Sequence, residues 1–214
     1  MIELILDAGH GGRDSGCLYG TLKEKDVVLS VAKRVKQILE NDYEGVKVHL
    51  TRETDKYLSL DERCQIANVL NVNLFVSLHI NAGGGEGYET YIHPSAVGST
   101  YAKRLQQAFH ENQYSFTKDR GRKSSNFAVL RGTQMLAILV EMGFIDNASD
   151  RVKIQNIEQL AKDVVGGIVG YYGFKKVVKK YRVIAGDFTI KENADVVFNL
   201  LTSRGINVKM EEVK

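Results

Sequence analysis

The chain has 214 residues, 43% of them hydrophobic and 26% charged, which suits one well-buried domain with a short remainder and excludes a disordered chain. Its longest apolar run, residues 135–140, falls far short of the roughly 20 residues that cross a bilayer, and residues 1–7 lack the basic start, apolar stretch and cleavage site of a secretion signal. Two cysteines, Cys17 and Cys64, exclude a disulfide framework or thiolate metal cluster; the net charge of +3 sits in residues 175–214, where nine Lys and Arg face five Asp and Glu, so a near-neutral, Trp-free body argues against nucleic-acid binding.

Residues 2–6 read as a strand, followed by a glycine-rich loop to Gly20. A helix is predicted over 24–40, where Val27, Val28, Val31, Val35, Ile38 and Leu39 recur at helical spacing. Val46, Val48 and Leu50 alternate with Lys47 and His49, as in a half-exposed strand. Ser59 and Glu62 carry the signature of a capping box, and Leu60, Cys64, Ala67 and Leu70 are expected on the inner face of the helix that follows. That spacing puts Cys64 in the core. Residues 74–78 form a continuous apolar run, as in a strand buried on both faces, and Tyr88–Ile92 is a further strand before Pro94. A helix over 97–112, a basic loop over 117–127, an apolar strand at 135–140 and a helix at Ile157–Tyr172 complete the body. The alternation predicts a single, mostly parallel, twisted α/β sheet flanked by helices over residues 1–174. Residues 175–180 read as a basic linker. Beyond it, 181–185, 191–203 and 206–210 read as one βαβ unit over 181–214, too small to bury a core of its own.

Ligands of an open α/β sheet bind outside the carboxyl ends of its strands. His10, His79 and Glu141 each follow an apolar strand segment, so adjacent parallel strands bring the three together. Two imidazoles with a carboxylate suit Zn²⁺, whose catalytic sites keep one position open for water. Glu24 is the fourth candidate: the loop containing Gly11, Gly12, Gly16 and Gly20 can fold its carboxylate back toward His10. A glutamate at a helix start also complements the helix dipole, and spacing leaves both roles open. His49 is expected at the surface with Lys47, and His110 solvated beside Lys103 and Gln107. His93 also ends a strand, but Pro94 suggests an edge position. Cys17 can approach a metal or serve simply as a small loop residue. The loop from Gly9 to Gly16 lacks the P-loop ending and the dinucleotide spacing, and no Gly-x-Ser-x-Gly elbow is present.

Asp7-Ala-Gly-His-Gly-Gly-Arg-Asp-Ser-Gly16, Glu24, Leu50-Thr-Arg-Glu-Thr-Asp55 with Leu60-Asp-Glu-Arg-Cys-Gln-Ile-Ala-Asn68, Ser77-Leu-His-Ile-Asn-Ala82 and Leu139-Val-Glu-Met-Gly-Phe-Ile-Asp-Asn147 follow one another as motifs. In this order they resemble the zinc-dependent N-acetylmuramoyl-L-alanine amidases of the amidase-3 type, over residues 2–172. One departure is Leu136, where that family commonly has proline. The resemblance implies that His10, Glu24 and His79 hold Zn²⁺ and that Glu141 is the catalytic glutamate. It implies cleavage of the amide between the lactyl group of N-acetylmuramic acid and L-alanine of the stem peptide, by a zinc-activated water with Glu141 as proton shuttle. Asn81, Arg131 and Arg122 are the candidate substrate-binding residues, with Arg131 and the loop Arg120 to Lys123 as partners for stem-peptide carboxylates; ordinary solvated charge accounts equally for that loop.

The tail, from Tyr181-Arg-Val-Ile-Ala-Gly-Asp-Phe-Thr189 through Lys191-Glu-Asn-Ala194, resembles half of a SPOR-type cell-wall-binding domain, which normally has two such units. A homodimer through residues 181–214 is therefore expected, with bacterial peptidoglycan as the other partner and neither nucleic acid nor membrane. With no signal peptide read at residues 1–7, a phage or prophage endolysin or a mother-cell lytic amidase is expected, held in the host bacterial cytoplasm until lysis. The alternatives are another zinc peptidase or hydrolase acting on cell-wall peptides, and a non-catalytic wall-binding protein on the same fold.

Overall fold

Chain order in the computed structural model runs β1 (Ile2–Ala8), a short hairpin of β2 (Leu18–Tyr19) and β3 (Leu22–Lys23), α1 (Glu24–Asp42), β4 (Val46–Leu50), α2 (Leu60–Leu70), β5 (Leu74–Asn81), β6 (Tyr88–Ile92), α3 (Thr100–Glu111), β7 (Asp119–Ser124), α4 (Ala128–Gly132), β8 (Leu136–Phe144), α5 (Ala148–Ile154) and α6 (Ile157–Tyr172). The structure describes residues 1–178 and 187–211 and divides into two units, Met1–Val177 and Val178–Lys214. In the first unit a six-stranded sheet has the order β4-β1-β5-β8-β6-β7. The strands β4, β1, β5 and β8 run parallel, β6 joins β8 antiparallel, and β7 lies parallel to β6 at the edge. The mostly parallel α/β sheet is the expected one.

Alternation along the strands decides which helices cover which face. Leu4, Leu6, Val76, Leu78, Ile138 and Val140 share one core with apolar residues of α1, α3 and α6; Ile5, Phe75 and Leu139 share the other with Cys64 and Ala67 of α2 and Val129 and Leu130 of α4. Valine is a mediocre helix former, so α1 depends on burial of Val28, Val31 and Val35, each worth about 1.5–3 kcal/mol. Ser59 and Glu62 cap α2 reciprocally, as predicted, and Asn71 ends it in the left-handed conformation.

Several local expectations are corrected. On α2, Leu60 and Leu70 are 55% and 41% exposed, while Arg63 is buried beside Cys64 and Ala67. The cause is Asp7, a carboxylate buried at the end of β1 that accepts from Arg63 Nη1 at 2.7 Å, Thr51 Oγ1 at 2.8 Å and Ser77 Oγ at 2.8 Å. A buried charge demands a buried partner, and α2 turns to supply it. Residues 119–124, expected within a loop, form β7 because Arg120 and Lys123 find a buried counter-ion in Glu89 on β6. His110 is packed rather than solvated: it meets Thr90 Oγ1 at 2.9 Å, Asp119 at 2.8 Å and the Tyr88 ring edge-on. Burial holds its pKa below the usual imidazole value despite Asp119.

Residues 175–177 belong to the first unit rather than to a linker, since Glu44 N–H donates to the Lys175 carbonyl and Val177 N–H to that of Asp42. The second unit contains α7 (Lys191–Ser203), the expected helix. The expected strand at 181–185 and residues 179–180 lie outside the described residues. Gly205, at φ +73°, turns the chain out of α7, and 206–210 then run without the strand structure expected of them. Among the described residues, no helix is long and apolar enough to cross a membrane.

The Asp7–Arg63 pair yields a stability prediction. Asp7→Ala leaves a buried guanidinium without its carboxylate, and urea unfolding is expected to show a loss of about 3–5 kcal/mol. A loss below about 1 kcal/mol, the range of an exposed pair, contradicts the anchoring role given to Asp7.

Candidate active site

Parallel packing of β1, β5 and β8 brings the carboxyl ends of three strands together, as the position of His10, His79 and Glu141 after apolar runs requires. His10 follows β1 in the left-handed conformation, φ 58°, a strain of about 1–2 kcal/mol for a residue with a Cβ. Buried arginines hold it there. Arg63 Nη2 donates to the His10 carbonyl at 2.6 Å, and Arg52 donates to the carbonyls of Ala8 at 2.9 Å and Gly9 at 2.8 Å. Asp14 Oδ2 lies 2.9 Å from His10 Nδ1, which orients the ring with Nε2 toward Glu24.

Glu24 opens α1, and its buried carboxylate collects donors from the loop after β1 and from the end of β5. Its Oε1 lies 3.1 Å from His10 Nε2 and 3.0 Å from His79 Nδ1, and accepts from Ile80 N–H at 2.9 Å; its Oε2 accepts from Cys17 N–H at 2.9 Å. Two glycines leave room for this convergence. A Cβ on Gly16 would lie 2.4 Å from Glu24 Oε2, and one on Gly9 would lie 2.4 Å from the His79 ring. Ligand atoms of His10, Glu24 and His79 lie within 4.8 Å of one another, so this group can hold a metal ion. Burial opposes the charge on each of the three, but their mutual hydrogen bonds prevail: His10 is raised to about 9, His79 is raised as well, and Glu24 is held far below the usual carboxylate range.

Glu141 on β8 is the direct neighbour of His79 across the β5–β8 ladder. Its Oε2 is buried with no hydrogen-bond partner among the described residues, and burial pushes the carboxyl up to about 7. A carboxyl with that affinity for a proton, beside a cluster able to hold a cation, can exchange one near neutral pH. The donor set fits Zn²⁺: two imidazole nitrogens and one carboxylate, with a second carboxyl at their side left unpaired.

The other candidates are scattered. Asn81 ends β5 next to the site and donates to Glu89 Oε1 at 2.8 Å. Arg122 is exposed on β7, on the face of Thr90 and His110, away from Glu89. Arg131 donates to Asn126 from α4 and lines a cavity with Ile2, Asn73 and His93 at the opposite end of the sheet. Both Arg131 and His93 are there because β6 runs against β8, which sends the end of β6 to the starts of the parallel strands. His49, on the edge strand β4, pairs with Glu3 of β1 and is not part of the cluster. Cys17 lies beside the site, its Sγ 3.1 Å from the Ile80 carbonyl, and burial raises its thiol pKa. The sequence reading passed over Asp7, Arg52, Arg63 and Glu89. The available signals were an arginine just after β4, another on the inner side of α2, and an acid between the apolar residues of β6.

A family model for N-acetylmuramoyl-L-alanine amidase matches residues 4–169. The chain belongs to this family. The sporulation-specific N-acetylmuramoyl-L-alanine amidase of Bacillus subtilis (strain 168) is 38% identical over 214 residues, covering 97% of this chain and 83% of that protein. The endolysin of Bacillus phage SPP1 is 43% identical over 174 residues, covering 78% and 64%. Among solved structures, the catalytic domain of CwlV, an N-acetylmuramoyl-L-alanine amidase from Bacillus (Paenibacillus) polymyxa var. colistinus, superimposes with a TM-score of 0.74 at 34% identity, covering 82% of this chain and all of that domain. The chain is an enzyme, a peptidoglycan amidase acting on N-acetylmuramoyl-L-alanine.

The close approach of Gly9 to His79 makes this amidase sensitive to one methyl group. Gly9→Ala is expected to displace the His79 ring and lower turnover by about 10²-fold while the cooperative unfolding transition survives. Undiminished turnover means that the ring has room and that its position is not fixed by Gly9.

Proposed function

We propose that the amidase hydrolyses the lactyl–L-alanine amide with a resident Zn²⁺ held by His10, Glu24 and His79, and with Glu141 as the proton shuttle. The observation that carries this reading is the unpaired, buried Oε2 of Glu141 beside a compact His-Glu-His cluster. When bound, zinc supplies Lewis-acid polarisation of the carbonyl and lowers the pKa of water at the site. The chain's own residues do the rest. Asp14 keeps His10 in one orientation, and the arginines behind the loop keep its backbone in place. Glu141 accepts a proton from the attacking water as the new C–O bond forms on the lactyl carbonyl carbon. It then delivers that proton to the alanine nitrogen as the C–N bond breaks, leaving a lactyl carboxylate and a free amine.

Metal analysis after dialysis is expected to find one zinc per chain, lost in His10→Ala and in His79→Ala but kept in His49→Ala. Glu141→Gln is expected to keep its zinc and lose about 10² to 10⁴-fold in kcat. Loss of zinc from the glutamine variant makes Glu141 a ligand and sinks the assignment of the shuttle.

We also propose that the second unit pairs with a second copy of itself on the wall. Support comes from α7, whose apolar side chains Val196 and Leu200 remain 66% and 49% exposed, with Ile190, Ile206 and Met210 also open. Identical faces of this kind associate by two-fold symmetry, and linking two catalytic units raises the local enzyme concentration on an insoluble substrate. The match to the sporulation amidase spans 97% of the chain, against 78% for the endolysin, so the tail is a feature shared with the former. Light scattering is expected to find a dimer for the full chain and a monomer for a chain ending at Val177; a monomeric full chain at working concentration rules the dimer out.

A further inference from the structure

One ionic cluster beside the candidate site has no part in the mechanism above. Glu89 faces Glu141 directly across the β6–β8 ladder and is only 2% exposed. Both of its oxygens are saturated. Oε1 accepts from Asn81 Nδ2 at 2.8 Å and from the Tyr91 hydroxyl at 2.8 Å; Oε2 accepts from Arg120 Nε at 2.7 Å and from Lys123 Nζ. The carboxylate therefore acts as an internal counter-ion and has no capacity left for substrate.

The two cations keep theirs. Arg120 is engaged through Nε alone among the described residues, which leaves its Nη1 and Nη2 free, and its side chain is 30% exposed. Its guanidinium carbon lies 4.7 Å from the centre of the Phe144 ring. Gly85 hems that ring in, since a Cβ there would come within 2.3 Å of it. A guanidinium fixed through Nε and laid over a ring presents its remaining edge as a planar fork, the shape that binds a carboxylate with two parallel hydrogen bonds.

A break in strand alternation puts both cations on this face. Tyr88 pairs with Asp119 and Thr90 with Arg122, so two steps on β6 oppose three on β7, with Gly121 at φ +90° as the extra residue. Arg120 and Lys123 thereby share the Glu89 face, and Arg122 is sent to the other.

We propose that Arg120, positioned by Glu89 and Phe144 and flanked by Lys123, forms a carboxylate subsite for the second residue of the stem peptide. The proposal rests on the amidase reading above and deepens it by naming a determinant of substrate choice. Distance supports the assignment. From β8, which carries Glu141, to β7 is two strand spacings, about 10 Å. An extended peptide advances about 3.3–3.6 Å per residue, so two residues and the length of an acidic side chain span the gap from the scissile amide to the fork.

The test compares kcat/KM of the zinc-loaded full chain on N-acetylmuramoyl-L-alanyl-D-glutamic acid and on its diamide, with purified peptidoglycan as reference. The wild type is expected to favour the diacid by about 10- to 100-fold, the worth of a hydrogen bond to a charged group. Arg120→Gln brings that ratio close to one, Arg120→Lys leaves an intermediate ratio, and Arg122→Gln keeps the wild-type ratio. A structural role for Arg120 alone predicts equal losses on both probes and an unchanged ratio, which overturns the subsite. Equal turnover of both probes by the wild type, or of neither while peptidoglycan is cut, overturns it too and leaves the amidase reading standing. Peptidoglycan that yields no new amino-terminal alanine defeats the reading itself, and the subsite with it.

Discussion

The carboxylate of Glu24 is the point on which the site depends. An ionised carboxylate taken out of water costs several kcal/mol unless donors surround it, and here the donors come from both ends of the loop after β1, His10 and Cys17, and from the end of β5, His79 and Ile80. The same geometry bears on a choice that spacing left open. Glu24 stands at the positive end of α1 and also meets both imidazoles, so one placement complements the dipole and joins the cluster.

Beneath that carboxylate lies a second layer that fixes the loop from below. Arg52 and Arg63 are buried and spend their donors on the carbonyls of Ala8, Gly9 and His10, while Asp7 supplies the charge that lets Arg63 be buried at all. The left-handed backbone of His10 persists because these bonds over-determine it. Strand burial thus reaches function in short steps: β1 and β5 pair in parallel, Ser77 of β5 and Arg63 of α2 meet at Asp7 near the end of β1, and the strained turn that follows aims an imidazole at Glu24.

Much of this was legible in the sequence, for a physical reason. His10, His79 and Glu141 are polar residues at the ends of apolar runs, and a buried parallel strand has only one place to put them. What escaped depended on pairings that no local pattern encodes. Arg131 and His93 lie at the end of the sheet away from the cluster because antiparallel pairing of β6 with β8 reverses direction without a trace in hydropathy. Within the basic stretch, read as a loop, no pattern tells Arg122 from its neighbours; only the strand pairing and its bulge at Gly121 put Arg120 and Lys123 on one face and Arg122 on the other. Arg63 sits inside a helix whose leucines advertise a different face, and only the buried Asp7 on another element explains the rotation. His110 reads as solvated on its own helix and is buried by β6 and β7.

The central claim is that water attacks the lactyl carbonyl, with Glu141 moving its proton to the departing nitrogen. Digestion of purified peptidoglycan in ¹⁸O-enriched water, read by mass spectrometry of the fragments, tests it most directly. The account predicts one ¹⁸O in the lactyl carboxylate of N-acetylmuramic acid and none in the released stem peptide, whose first residue is an alanine with a free amine. Label in a carboxylate within the stem peptide, or at a sugar reducing end, places the cleaved bond elsewhere and contradicts it.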